Sequence, residues 1–341
     1  MTGIERLRPG PIDIHAHAVP EAFLDFLVDV MQARVDPSPG GRAVTLPDGG
    51  LSFSVREDLI DLPRRLSAMD AQGVAVQVIS AFMDLAGYHL AGEEAAIWAR
   101  GYNDALAAEV ARQPDRLTAL STLPLGDGAA AAAELRRATE ELGMVGAELG
   151  TRVGRRLLDD PDLEPLWAEA SDARSILLLH PVEPLPGLDL SDYGLVHLLG
   201  RPAETTIAAA RLVFAGVMDR HEGLRLVVVH GGGFLPYQVG RLSKGFAARP
   251  ALSPDLTTTP SEAVARMYFD TVLSDPSALA ALIQMAGSER VLLGSDYPFE
   301  IGDLDPVKSV AASAEIREFD TEQVLRRTAG TLITGVRRQA P

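Results

Sequence analysis

Asp13-Ile14-His15-Ala16-His17 closes a short apolar run (Pro11, Ile12, Ile14) and sets two imidazoles at positions i and i+2. In a strand those positions share a face, so both rings can converge on one point. Two nitrogens at a strand end make half of a metal site. The other half needs a third nitrogen and a carboxylate from remote strands. His180 ends the run Ile176-Leu177-Leu178-Leu179, and Asp296 follows Val291-Leu292-Leu293-Gly294-Ser295. His15, His17, His180 and Asp296 form a nitrogen–oxygen set suited to one Zn²⁺ per chain with a water in the open position. Mn²⁺, Fe²⁺ and Co²⁺ are possible in the same shell, and no organic cofactor is called for.

Such an ion brings its water toward neutral pKa. His230, after Leu226-Val227-Val228-Val229, is the candidate to take and return that proton. Asp296 stands with His230 in the catalytic pair as well as among the ligands. Gly231-Gly232-Gly233 lets backbone or substrate approach closely. Each element has a plainer meaning alone: a strand-end histidine is usually hydrogen-bonded core, and an Asp before Tyr-Pro is usually a turn former. The case rests on four separate strands each ending in a ligand-type residue. His89, His197 and His221 fit no ligand position. His221 is expected at the surface, and His197 in a segment covering the pocket.

Ligands so far apart in sequence meet only if the strand ends share one face. Apolar, β-branched runs at 11–17, 74–80, 117–125, 144–150, 175–181, 224–231, 267–273 and 290–296 alternate with helical stretches such as Glu93–Gln113, Ala129–Leu142, Asp162–Ser171 and Ala203–Arg220. Eight parallel βα units predict an α/β fold, a (β/α)8 TIM barrel, whose strand C-termini form one active face. A doubly wound sheet is the rival, but no Gly-rich phosphate loop follows the first strand. A barrel takes roughly 250 residues. The surplus falls in a small insertion at about 18–73 and in helices after residue 300, within one domain spanning 1–341. The insertion is expected to hold a helix at Glu21–Met31 and a hairpin around Pro47-Asp48-Gly49-Gly50.

A net charge of −16 disfavours nucleic acid and anionic membrane surfaces, since there is no basic surplus to displace counterions. An acidic chain can still bind an acidic substrate through a few focused arginines. There is no cysteine, so neither a disulfide nor a thiolate ligand is available. No signal peptide or membrane-spanning run is visible, and the expected location is cytoplasmic.

The chain resembles the amidohydrolase superfamily, and within it the aminocarboxymuconate-semialdehyde decarboxylase-like family. The resemblance is carried by DIHAHAVP (13–20), MDAQGVAVQV (69–78), LLLHP (177–181), PAETTIAA (202–209), VVVHGGG (227–233), VGR (239–241) and RVLLGSDYPF (290–299). It implies His15, His17, His180 and Asp296 as ligands of one divalent metal and His230 as the acid/base. It also implies a homodimer in which Arg241 reaches the neighbouring active site to grip a substrate carboxylate. Arg56 is the nearest match to the family's pocket arginine, with Arg64 and Arg65 as alternatives, and Tyr193 stands where relatives carry a tryptophan. Glu148 takes the place of an amide or cation. It could be an extra acid/base, a partner of a metal-bound histidine, or half of a buried ion pair.

The resulting expectation is metal-dependent, non-oxidative decarboxylation of a small unsaturated or aromatic carboxylic acid. The alternative is a hydrolase or hydratase using the same metal-bound hydroxide on a lactone, amide or enol acid. A third reading, an inert metal-binding scaffold, leaves His230 without a purpose.

Overall fold

The computed structural model describes residues 6–47, 51–182, 187, 189–249, 251, 256–312 and 316–337. Its first strand, β1 (Ile12–Ala18), is buried along its whole length and pairs in parallel with β2 (Val76–Ala81), which pairs with β3 (Leu117–Ala119). A second run of parallel neighbours comprises β4 (Gly146–Gly150), β5 (Ile176–His180), β6 (Arg225–Val228), β7 (Tyr268–Asp270) and β8 (Val291–Leu292). Two seams join them. Ser121 N donates to Gly146 O at 2.9 Å and Glu148 N to Ser121 O at 2.9 Å, while Ile14 N donates to Leu293 O and His17 N to Tyr297 O, both at 2.8 Å. The eight strands therefore close into a (β/α)8 barrel, as the alternation of apolar runs and helices predicts. β3, β7 and β8 are shorter than their apolar runs suggest, because the ladder gives way to loops before the run ends.

The strands read as continuous apolar runs because both faces are covered. One parity lines the interior: Ile12, Ile14, Val76, Val78, Leu120, Ile176, Leu178, Val227, Val229 and Leu292 pack together. The other parity, including Leu149, Leu179, Val228 and Leu293, meets the surrounding helices. Truncating one of these buried leucines to alanine costs about 2–5 kcal/mol. At the end where the strands begin, Ala329, Leu332 and Ile333 of the last helix, Thr328–Thr334, join the interior cluster and plug the barrel.

Helix starts are set by local chemistry. Asp127 accepts from Ala129 N and Ala130 N at the head of the helix Gly128–Glu140, and Asp275 accepts from Ala278 N at the head of Pro276–Ala286. Gly146 is required where β4 begins. A Cβ there would stand 1.9 Å from Ile176 O, so the chain can pass beside β5 only without a side chain.

Between β1 and β2 the chain makes an excursion. Helix α1 (Glu21–Asp29) buries Phe23, Leu24 and Leu27 against Trp98 and Tyr102. A three-stranded antiparallel sheet follows (Arg34–Ser38, Gly41–Thr45, Ser52–Arg56), then α2 (Leu62–Gln72), started by an Asp61 cap and ended at left-handed Gly73. The two strands of the expected hairpin are present; residues 48–50 of its turn lie outside the described residues. The strand Arg34–Ser38 was not expected, because Pro37 and the neighbouring charges mask it; it is an edge strand, where proline is tolerated. Among the described residues no helix is long and apolar enough to cross a membrane.

Asp219 holds the approach to β7. It accepts hydrogen bonds from Thr257 N, Thr258 N and both hydroxyls, and pairs with Arg266 at 2.7 Å. Burial pushes its carboxyl up, but these donors outweigh it and hold it well below the usual range. A depressed folded pKa contributes stability above the unfolded value, near 3.9, which is lost as pH falls through the folded value. Asp219→Asn should therefore unfold more easily than the parent at pH 7, with the gap closing only below about pH 4. Denaturant titrations across pH check this; a gap constant down to pH 2 would exclude the charge as its source.

Candidate metal centre and active site

The two histidines of β1 reach the interior through an irregularity in the strand. Ile12 pairs with Val76 and His17 with Ser80, so β1 carries one more residue than β2 across that interval, with the shift between Asp13 and Ala16. The extra residue reverses parity, and Ile12 and Ile14 can fill the lumen while His17 still points inward above them. The other site residues come from strand ends, as the spacing predicts. The His15 ring lies 5.2 Å from those of His17 and His180 and 5.5 Å from that of His230. Asp296 Oδ1 is 3.1 Å from His17 Nε2 and 3.4 Å from His15 Nε2, and its Oδ2 is 3.5 Å from His230 Nε2.

Each β-strand histidine is anchored from outside by Nδ1. His15 Nδ1 meets Asp270 Oδ2 at 2.7 Å, His17 Nδ1 meets Ala81 O at 2.9 Å, and His180 Nδ1 meets Pro181 O at 2.8 Å. That fixes the ring and leaves Nε2 for the centre, the arrangement metal-ligating imidazoles use. His15 Nε2 is buried without a hydrogen-bond partner among the described residues. One ligand atom from each of His15, His180, His230 and Asp296 lies within 4.8 Å of the others, and His17, Glu148 and His180 make a second such group. Nitrogen and carboxylate donors at this spacing fit a divalent cation of the Zn²⁺ or Mn²⁺ kind.

The charges are strongly coupled. Burial pushes His15 down, but Asp296, Asp270 and Glu148 outweigh it and raise His15 to about 9. His17 is likewise raised, by Glu148 and Asp296 against burial. Burial and the neighbouring imidazoles drive His180 well below its usual value. Asp296 sits well below the carboxylate range because His15, His17 and His230 overcome its burial.

His230 and Asp296 both hold left-handed backbone, at φ 56° and 57°, a conformation uncommon away from glycine and concentrated at functional sites. The three glycines after His230 let the loop turn against its own scaffold. Cβ atoms on Gly231, Gly232 and Gly233 would meet Leu273, Phe269 and Pro202 O at 2.4, 2.6 and 2.2 Å. Their use is thus backbone approach rather than room for substrate.

Asp270 and Asp13, to which sequence reasoning gave no role, and Arg65, weighed there only for the pocket, support these histidines. Asp270, wholly buried at the end of β7, binds His15 and also accepts from Gly231 N at 2.8 Å, joining His15 to the His230 loop. Its signal was a carboxylate closing the apolar run Met267–Phe269. Asp13 accepts from His15 N, Ser295 N, Ser295 Oγ and Gln77 Nε2, tying β1 to β2 and to the loop carrying Asp296. Arg65, 2% exposed, donates to Gln77 Oε1 at 2.7 Å and to His17 O at 2.5 Å, and lies over the Tyr297 ring. Of the three arginines weighed for the pocket, Arg65 is thus committed to the backbone of β1. Arg56 and Arg64 both pair with Asp58, at 2.9 and 2.7 Å.

The remaining candidates are outside the cluster. Tyr193 is 88% exposed, and Arg241 is exposed on the helix Leu235–Ala248. His197 is exposed on the turn Val196–Gly200. His221, expected at the surface, is partly covered: its side chain is 12% exposed and meets Glu164 at 2.8 Å, a carboxylate that also pairs with Arg220 at 3.0 Å.

The sequence pattern described as amidohydrolase matches residues 12–331. The chain is 30% identical over 318 residues to the 2-amino-3-carboxymuconate-6-semialdehyde decarboxylase of Dictyostelium discoideum, covering 92% of this chain and 89% of that protein. It is 32% identical to the gamma-resorcylate decarboxylase of Rhodococcus jostii, over 79% of this chain and 86% of the relative. Its fold is similar to the crystal structure of dihydroxybenzoic acid decarboxylase from Polaromonas sp. JS666 with bound manganese and the inhibitor 2-nitroresorcinol. There the TM-score is 0.77 at 26% identity, covering 97% of this chain and 99% of the other.

Arg65→Met keeps the apolar stem but leaves His17 O and Gln77 Oε1 without their donor. The expected loss is about 1–3 kcal/mol for each orphaned group, read as a lower denaturation midpoint, together with weaker retention of divalent metal through dialysis. A variant as stable and as metal-retentive as the parent would remove Arg65 from the support of His17.

Proposed function

The chain belongs to the amidohydrolase family, and on that premise we propose that it is a metal-dependent, non-oxidative decarboxylase of a small unsaturated or aromatic carboxylic acid. The observation that carries the reading is the meeting of His15, His17, His180 and Asp296 at one end of the barrel with His230 at their edge. The relatives described above are decarboxylases as well.

His15, His17, His180 and Asp296 would hold one divalent cation, which supplies Lewis acidity toward a substrate oxygen. Its identity as Zn²⁺ or Mn²⁺ is part of the proposal. His230 is placed for proton transfer: its side chain is 16% exposed beside a wholly buried His15, and its Nδ1 has no hydrogen-bond partner among the described residues. The bond to the departing carboxylate breaks as CO2 leaves, its electron pair enters the substrate's conjugated system, and His230 delivers a proton to that carbon. Phe299 lies 5.5 Å from the His17 ring and 5.8 Å from Phe82, giving a planar, conjugated substrate an aromatic wall.

Orientation falls to arginine. Arg56, held by Asp58 in the excursion, faces the substrate from its own protomer, with Tyr193 contributing once covered. Arg241, exposed on its helix, enters the site of a second copy and grips a carboxylate in a homodimer.

Metal analysis of the purified protein, coupled to CO2 release from muconate-like and hydroxybenzoate-type acids, tests the reading. The expected result is one divalent ion per chain and CO2 from at least one acid. Metal without CO2 would shift the assignment to hydrolysis or hydration, with lactones tested next. His230→Ala should keep its metal and lose roughly 10²–10⁴-fold in kcat; metal lost with the imidazole would make His230 a ligand.

Arg241→Ala should raise KM or abolish turnover without changing the fold. Mixed with inactive His230→Ala under proven subunit exchange, it should regain activity through hybrid dimers. No recovery would place Arg241 outside the neighbour's site.

A further inference from the structure

Glu148 has no part in the chemistry above, yet it is the most demanding side chain in the barrel. Ala147 and Leu149 on either side pack outward in the core shared with Leu135 and Trp167. Alternation along β4 therefore turns Glu148 into the lumen, where it is 1% exposed. Neither carboxylate oxygen has a hydrogen bond of good geometry among the described residues. The Ser80 hydroxyl nearby donates instead to Ala16 O at 3.1 Å. His17 Nδ1 is 3.7 Å from Glu148 Oε1, but its hydrogen is directed at Ala81 O, 2.9 Å away. A carboxylate so desolvated stays ionised only beside a cation.

The geometry supplies a place for one. One ligand atom from each of Glu148, His17 and His180 lies within 4.8 Å of the others, and His180 also belongs to the group with His15, His230 and Asp296. His180 Nδ1 is engaged by Pro181 O at 2.8 Å, so Nε2 is the nitrogen it has left for an ion, and one such nitrogen joins the two groups around a single cation. We propose that Glu148 is a fifth protein donor to that ion, beside His15, His17, His180 and Asp296, and that it tilts the site toward Mn²⁺ over Zn²⁺. The inference rests on the metal reading given above and deepens it. Three imidazoles and two carboxylates exceed the three protein ligands plus water usual at catalytic zinc. A second hard oxygen moves the set toward the higher coordination that Mn²⁺ accepts.

The test strips the full-length protein with chelator and reloads it with Mn²⁺ or Zn²⁺ alone. It compares the parent with Glu148→Gln, which keeps shape and loses charge, and Glu148→Asp, which keeps charge and loses reach. Both variants should bind Mn²⁺ at least roughly 10-fold more weakly, Zn²⁺ should weaken less, and the electron paramagnetic resonance spectrum of bound Mn²⁺ should change. Unchanged affinities, or equal losses for both ions with an unchanged Mn²⁺ spectrum, would overturn the proposal and leave Glu148 as a counter-ion of His17. If neither variant folds by circular dichroism, the anomalous density of the Mn²⁺-loaded parent decides. A Glu148 oxygen about 2.0–2.2 Å from the ion supports ligation, and one beyond hydrogen-bonding distance refutes it. A parent that takes up neither ion would sink the metal reading itself, a result distinct from any failure of Glu148 alone.

Discussion

Four carboxyl groups and four imidazoles share one water-poor end of the barrel, and keeping that charge compensated is the constraint on which the rest depends. Asp13, Glu148, Asp270, Asp296, His15 and His17 are all buried, with His180 and His230 reaching toward the opening. Isolated ions in such a place would neutralise or unfold their surroundings. Three of the four carboxyls have an answer in hydrogen-bonding neighbours, and Glu148 is the exception. Asp13 is wrapped by four donors, Asp270 by His15 and Gly231 N, and Asp296 by three imidazoles. Removing any one leaves its partners exposed to the desolvation that it had offset, so the site behaves as a unit rather than a sum of pairs.

The barrel makes this density possible by separating duties along its axis. At the end where strands begin, Ile12, Val76, Ile176 and Leu292 pack with the plug from the last helix, and this layer contributes stability without chemistry. At the other end the ladder gives out. β8 is assigned only to Val291–Leu292, and Ser295 and Asp296 are held instead by Asp13 and by His15 O. Left-handed backbone at His230 and Asp296 belongs to that end. Rigid apolar packing below lets strained, polar geometry persist above, because the strain is local while the packing is shared by eight strands.

The residues that cluster at this end were legible in the sequence because parallel strands give a simple rule: whatever polar residue ends an apolar run stands at the end where the strands finish. That rule located His15, His17, His180, His230 and Asp296 from spacing alone. It failed for Asp270, whose run is short and mixed with aromatic and polar residues, and it could not reach Arg65. An arginine on a helix in an excursion carries no sign that it will be buried; its burial follows from a tertiary contact with His17 O and Gln77 across the β1–β2 pair. The irregularity in β1 was equally hidden. Strict alternation would put Ile12 and Ile14 on the face opposite His15 and His17, and only the register against β2 shows how both sets are accommodated. The strand Arg34–Ser38 escaped notice for the converse reason, since an edge strand need not look like one.

Glu148 illustrates what pattern reading and geometry each contribute. Alternation along β4 already pointed it inward, but a buried acid, an ion pair and a ligand remained equal choices while its neighbours were unknown. The structure reduces them by position: the Ser80 hydroxyl and the His17 Nδ1 hydrogen both go to backbone carbonyls, while ring nitrogens of His17 and His180 lie within 4.8 Å of a Glu148 oxygen. A carboxylate with its natural donors engaged elsewhere and imidazole nitrogens close at hand is configured to share a cation. Two buried carboxylates would balance a divalent charge that three neutral imidazoles cannot, so an ion held there would offset the cost of so acidic a lumen.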